Sequence, residues 1–135
     1  MKHVLILCTG NSCRSQMAEA IWRDIGDGQW RASSAGSRPT GKVHPLALKA
    51  IEEMELPIEG LESKHVDQFL TEPVDLAVTV CDNALEACPN LPHAKEKVHW
   101  PFDDPADATG SDDEVMKCFR RVRDEIRQKI QEYLT

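Results

Sequence analysis

Near its start the chain carries a four-residue apolar run, Val4-Leu5-Ile6-Leu7, that leads directly into Cys8-Thr9-Gly10-Asn11-Ser12-Cys13-Arg14-Ser15. A short continuous apolar run suits a strand covered on both faces, as in a parallel sheet. Met17, Ala18, Ile21, Trp22 and Ile25 then recur at helical spacing, and Gly26 is placed to end that helix. A small polar loop between strand and helix makes backbone N–H groups converge, which is a receptor for an anion. Gly10 and Asn11 are residue types that accept the left-handed backbone a tight cradle uses. Arg14 can add a planar fork for two oxygens of a tetrahedral oxyanion. The loop is not a nucleotide P-loop, because the Gly-Lys-Ser/Thr ending is missing.

The remaining pattern supplies more strands and helices. Residues 30–35 read as a second strand, residues 74–80 (VDLAVTV) as a third and residues 97–100 as a weaker fourth. Residues 45–54 read as a helix with Pro45 in its first turn and Leu46, Ile51 and Met54 to bury. Ser111-Asp112-Asp113-Glu114 forms a capping box. Val115, Phe119, Val122, Ile126, Ile130 and Leu134 follow every three or four residues. Cys118 is expected in the core beside that stripe, and Lys117, Arg120, Arg121, Arg123 and Arg127 on a solvated face. Alternating strands and helices predict an α/β fold: one small parallel sheet flanked by helices, a single domain over residues 1–135. Ligands of such sheets sit beyond the carboxyl ends of the strands, which is where Cys8 and Cys81 fall.

Composition narrows the function. Sixteen basic against twenty-three acidic residues give a net charge of −7, which disfavours a nucleic-acid or anionic-membrane surface. No apolar run approaches the ~20 residues of a membrane span. The N-terminal run is also shorter than the ~7–15 residues of a signal h-region. A cytoplasmic monomer is expected. The five cysteines at 8, 13, 81, 88 and 118 are an odd count and suggest no disulfide framework. Cys81 and Cys88 have six residues between them, where zinc pairs favour two to four. His93 and His99 could be enlisted as ligands, but no metal site is expected.

Cys8 stands apart from the other thiols. Converging N–H groups should lower its pKa by ~2 units, worth ~2.7 kcal/mol, and make the thiolate the major form at neutral pH. Ser15 could donate a hydrogen bond to it. C-x5-R is a weak pattern by itself; the preceding strand, the Gly-Asn pair and the following helix give it weight. Cys13 lies in the same loop and is expected to face the core. Downstream, Asp103, Asp104 and Asp107 surround Pro105, and any of them could be a general acid or part of a turn and helix cap.

With these motifs the chain resembles the low-molecular-weight protein tyrosine phosphatase fold superfamily, which pairs a C-x5-R-S loop with an Asp-Pro acid. That resemblance selects Asp104. More specifically the chain is similar to the thioredoxin-coupled arsenate reductases of that fold. The similarity runs through CTGNSCRSQMAEA, SAG at 34–36, TVCDNALEACP at 79–89, FDDPA at 102–106 and FRRVRDEI at 119–126. It implies that Thr9, Gly10, Asn11, Ser12, Cys13 and Arg14 hold arsenate, with phosphate and sulfate as competitors. It implies Cys8 as nucleophile, Cys81 and then Cys88 as a redox relay, and thioredoxin as the reductant, with no bound cofactor. Residues 82–97, with Pro89 and Pro92, would rearrange during the relay.

Many of these relatives hold a potassium ion behind the cradle with an Asn, a Glu, a Ser and an Asp. The first three map onto Asn11, Glu19 and Ser34; the Asp position carries Lys64. The resemblance therefore makes a potassium site doubtful, and the Lys64 ammonium is a candidate to stand in its place; a solvated loop lysine is the plain alternative. Two other readings of the chain stay open. A phosphatase would use Cys8, Arg14 and Asp104, although Ala106 follows Asp104-Pro105 where tyrosine phosphatases commonly carry an aromatic residue; weak phosphatase activity could also accompany reduction. An arsenic- or redox-responsive binding protein would keep the thiols without needing Asp104. Related reductases draw electrons from thioredoxin or from glutathione and glutaredoxin.

Overall fold

A computed structural model describes residues 1–80, 91 and 93–135. Four parallel strands, β1 (Lys2–Cys8), β2 (Trp30–Gly36), β3 (Val74–Thr79) and β4 (Ala94–His99), form one sheet in the order β2-β1-β3-β4. Among the described residues three α-helices accompany them: α1 (Arg14–Ile25), α2 (Pro45–Glu52) and α3 (Asp112–Leu134). The α/β parallel-sheet expectation is met. From β1 the chain moves first to one side of the sheet, to β2, and later to the other, to β3. That reversal opens a crevice at the carboxyl end of β1, and Cys8 is the last residue of β1.

The apolar run at the front is buried on both faces, as its continuity required. Val4, Ile6 and Cys8 point into a cluster with Met17, Ile21 and Trp22 of α1, Ala47 and Ile51 of α2, and Phe119, Val122, Ile126 and Ile130 of α3. Leu5 and Leu7 point the other way, against Ala35, Val66, Val74, Ala77 and Leu91. Among the described residues all three helices therefore pack on one face. Trp22, fully buried, stacks on Trp100 with ring centroids 5.9 Å apart and meets the edge of Trp30 at 5.3 Å. Truncating it to alanine would cost about 3–5 kcal/mol. It fixes α1 against the sheet.

Four expectations need adjustment. The helix predicted over 45–54 ends at Glu52, because the chain tightens into bonds from Met54 N–H to Ile51 O and Glu55 N–H to Glu52 O, and Glu55 turns left-handed at φ 61°. The fourth strand begins at Ala94 rather than 97; its Lys-Glu-Lys stretch hides a strand at the sheet edge, where polar side chains are tolerated. Cys118 is half-buried at the margin of the core, with its Sγ 3.7 Å from the Arg121 guanidinium. The basic face of α3 is only partly solvated. Arg120 and Arg123 both bond the Glu53 carboxylate, and Arg123 also donates to Ala50 O at 3.1 Å, tying α3 to the end of α2. The capping box stands as expected, with Ser111 Oγ accepting from Glu114 N–H at 3.2 Å.

Candidate active site

The cradle is built by the junction of β1 and α1. Asn11 takes the left-handed conformation at φ 48°, while Gly10 does not, so only one of the two permissive residues uses its freedom. That turn aims the Asn11 N–H at Cys8 Sγ, 3.2 Å away. Helix α1 begins at Arg14 with Cys13 at the N-cap position, no side chain capping it and no acidic residue in its first turn. Its positive end is thus left toward the loop, where an anion is favoured.

Ser15 Oγ lies 2.9 Å from Cys8 Sγ and accepts a hydrogen bond from Asn11 Nδ2 at 2.8 Å. Because that hydroxyl already accepts from the amide, its single proton is available to the sulfur. Cys13 differs: burial, with the Asp104 charge second, pushes its thiol up to about 12. It is 6% exposed and belongs to the core cluster.

A pocket of about 240 Å³ is lined by Cys8, Gly10, Ser12, Cys13, Arg14, Thr40, His44, Asp104 and Ala106. Asp104 caps the short turn Pro105–Asp107, with Oδ1 accepting from Ala106 N–H at 3.0 Å and Oδ2 standing 3.3 Å from the Arg14 guanidinium. The neighbouring carboxylates are elsewhere: Asp103 is exposed and pairs with Arg121 at 3.1 Å, and Asp107 is exposed. Arg14 also donates to Phe102 O at 3.0 Å. Its fork therefore engages the Asp-Pro loop, where the sequence pointed only to an oxyanion.

Behind the cradle, Asn11 Nδ2 also donates to Ser34 Oγ at 2.9 Å, and Ser34 donates to Glu19 Oε1 at 2.6 Å. Asn11 Oδ1 accepts from the Lys64 backbone N–H at 2.7 Å, and Lys64 Nζ lies 3.9 Å from Glu19 Oε1. Cys81 and Cys88 lie outside the described residues. Among the described residues no group of three His, Cys, Asp or Glu side chains is placed to hold a metal, and no helix is long and apolar enough to cross a membrane.

Several residues that shape the site escaped the sequence reading. Gly36 passes so close to the cradle that a Cβ there would stand 2.4 Å from Thr9 O and 2.8 Å from Cys8 O. Gln16, fully buried, donates to Asn11 O at 2.9 Å and Glu62 O at 2.8 Å. His44 lines the pocket while its Nδ1 accepts from Leu46 N–H at the start of α2. The glycine of SAG and the His-Pro start of a helix were the available signals.

A thiol at the end of the first strand, a helix start beneath it with no side-chain cap and an Arg–Asp pair across the pocket meet at the carboxyl end of the parallel sheet of an α/β protein. Residues 3–135 match the family described as low molecular weight phosphotyrosine protein phosphatase, and the chain belongs to that family. It is 47% identical over 132 residues to an arsenate reductase of Halalkalibacterium halodurans, a match covering 98% of this chain and 94% of the relative. An arsenate reductase of Bacillus subtilis is 41% identical, with the same coverage. Among solved structures, an arsenate reductase in the phosphate binding state superposes with a TM-score of 0.78 at 29% identity, covering 98% of this chain and 96% of that one. A thioredoxin-dependent arsenate reductase of Corynebacterium glutamicum gives 0.70 at 25%, over 98% of this chain and 63% of that one.

Proposed function

We propose that this protein reduces arsenate to arsenite through Cys8, Cys81 and Cys88, with thioredoxin restoring the dithiol. The observation that carries it is the setting of Cys8: Ser15 and Asn11 within hydrogen-bond reach, Arg14 and Asp104 on the same pocket. The identity with arsenate reductases over nearly the whole chain supports arsenic as the centre attacked.

Arsenate enters the cradle against the backbone N–H groups of residues 9–14, and Arg14 takes hold of its oxygens. The Cys8 thiolate attacks arsenic, and one arsenate hydroxyl leaves as water with a proton supplied by Asp104. Cys81 then attacks Cys8 Sγ. The S–As bond breaks with its electron pair left on arsenic, so arsenic is reduced by two electrons and leaves as arsenite. Cys88 attacks Cys81 Sγ, expels Cys8 as thiolate and leaves a Cys81–Cys88 disulfide, by ordinary thiol–disulfide exchange. A thioredoxin dithiol reduces that disulfide. Phosphate fits the same cradle but accepts no electrons from thiols, so it acts as a competitor. The roles of Cys81 and Cys88 rest on sequence.

Arsenate-dependent oxidation of NADPH through thioredoxin reductase and thioredoxin tests the reading. Turnover is expected; turnover with glutathione and glutaredoxin in place of thioredoxin would change the donor only. No arsenate-dependent oxidation with either donor, together with hydrolysis of p-nitrophenyl phosphate, would instead make the protein a phosphatase. That second reading has its own support in the shared pocket of Cys8, Arg14 and Asp104.

A further inference from the structure

Glu19 is a carboxylate with 1% exposure in the middle of α1, and a buried charge must be answered by its surroundings. Its Oε2 accepts from the Arg23 guanidinium one turn further along the helix. Its Oε1 accepts from Ser34 and faces Lys64 Nζ. Lys64 makes three more contacts around the cradle, two through its backbone and one through its ammonium. Its N–H holds Asn11 Oδ1, its carbonyl accepts from Gly36 N–H at 2.9 Å, and its ammonium donates to Glu62 O at 3.0 Å, the carbonyl that also orients Gln16. Ser34, which donates to Glu19, accepts from Asn11 Nδ2, so what fixes Glu19 bears through Ser34 on Asn11, and through Asn11 on Ser15 and Cys8.

The donor set that the family resemblance assigns to a potassium ion is Asn11, Glu19 and Ser34. An alkali cation is held by oxygens that replace its hydration shell. Here Asn11 Oδ1 is engaged by a backbone N–H, and both Glu19 oxygens are engaged by protein donors. Two side-chain cations already stand at the one carboxylate. These residues do not fit a bound potassium ion.

We infer that Lys64 and Arg23 are positioning residues: fixed cations that neutralise Glu19 and, through the Glu19–Ser34–Asn11 hydrogen bonds, keep Asn11 in place, making the cradle independent of any exchangeable monovalent cation. The inference rests on Cys8 lying in the working cradle, as in the proposed function, but not on arsenate being the substrate. Its logic is electrostatic and entropic. A tethered ammonium next to Glu19 supplies the charge without an ion having to be captured, and it repels a second cation.

The test uses two readouts that need no arsenate: melting temperature, and the protection of Cys8 by inorganic phosphate against iodoacetamide at one fixed pH, followed by peptide mass mapping. For the unmodified protein both should be the same in potassium, sodium and choline chloride at equal ionic strength. Lys64→Asp should weaken phosphate protection by roughly tenfold in choline, in the range seen when outer partners that orient a site are lost. Potassium should restore it, because the variant offers an extra carboxylate and no ammonium. Lys64→Arg should keep most of the protection. A potassium-specific rise in stability or protection of the unmodified protein would overturn the inference, since an ion bound to the native state must stabilise it. So would a Lys64→Asp variant indistinguishable from the unmodified protein in choline, or a loss that neither potassium nor the arginine variant repairs. If arsenate reduction fails while phosphate protection stays indifferent to potassium and sensitive to Lys64, the proposed function falls and the cation brace stands.

Discussion

The carboxylate of Asp104 lies 3.3 Å from the guanidinium of Arg14, across the pocket that also holds Cys8. The oxyanion-binding group and the expected proton donor are thus partners of each other. In the proposed reaction an oxyanion in the cradle would compete with Asp104 for Arg14, and in taking the guanidinium would release the carboxyl to face the departing oxygen. Asp104→Asn removes both the proton donor and the competitor. Its single-turnover rate should fall by about 10²–10⁴, the usual worth of a general acid. Phosphate should bind as tightly as before or more tightly, because the neutral amide holds Arg14 less strongly. An unchanged rate would move the acid role to another residue.

The three cysteines should fail in different ways. Cys8→Ser abolishes arsenate reduction and any phosphomonoester hydrolysis. Cys81→Ser abolishes reduction but spares hydrolysis, which needs only Cys8, Arg14 and Asp104. Cys88→Ser permits about one turnover and accumulates a Cys8–Cys81 disulfide, visible by peptide mapping, because the exchange that frees Cys8 lacks its attacking thiol. Equal loss of hydrolysis in all three variants would break this division of labour.

What the sequence revealed was mostly local. The apolar run, the polar loop and the helix after it are contiguous, so their order alone located Cys8 at the end of a buried strand. Ser111 and Glu114 declared their capping box by spacing. Local pattern does not bring distant partners together; Glu19, Ser34 and Lys64 joined Asn11 in the sequence only through the family resemblance. Lys64 meets Asn11 across 53 positions of sequence, and Arg120 meets Glu53 across 67. Such partners are chosen by how elements pack, and a single chain read along its length carries no signal of that distance. Gly36 shows the same limit: its residue type is visible, but only the packed structure reveals that Thr9 and Cys8 carbonyls leave no room for a Cβ.

Gly36→Ala is therefore a sharp test of how tightly the cradle is built. The new methyl would fall 2.4 Å from Thr9 O, a backbone atom that cannot swing aside as a flexible side chain would. The loop must shift or the strand must bend, and overpacking of this kind costs about 1–3 kcal/mol. Lowered thermal stability together with weakened phosphate binding is expected. A variant with unaltered phosphate affinity, measured by calorimetry, would show that the cradle tolerates displacement.

The contact between α3 and the end of α2 predicts a pH-dependent contribution to stability. Hydrogen bonds from Arg120 and then Arg123 draw the Glu53 carboxyl down to about 2 from an ordinary value of 4.5. A carboxyl whose value is lower in the folded state than in the unfolded one favours folding wherever it is ionised in both. That contribution is complete above the unfolded value, declines as the pH falls below 4.5, and is gone below about 2. Glu53→Gln should therefore melt about 2–5 °C lower at neutral pH, a modest gap because the pair is partly exposed to solvent. The two melting curves should converge as the pH is lowered through that window, and added salt should narrow the gap at pH 7. A gap of constant size from neutral pH down to the acid limit would mean that the arginines hold α2 through shape and the Ala50 carbonyl, with the Glu53 charge contributing nothing.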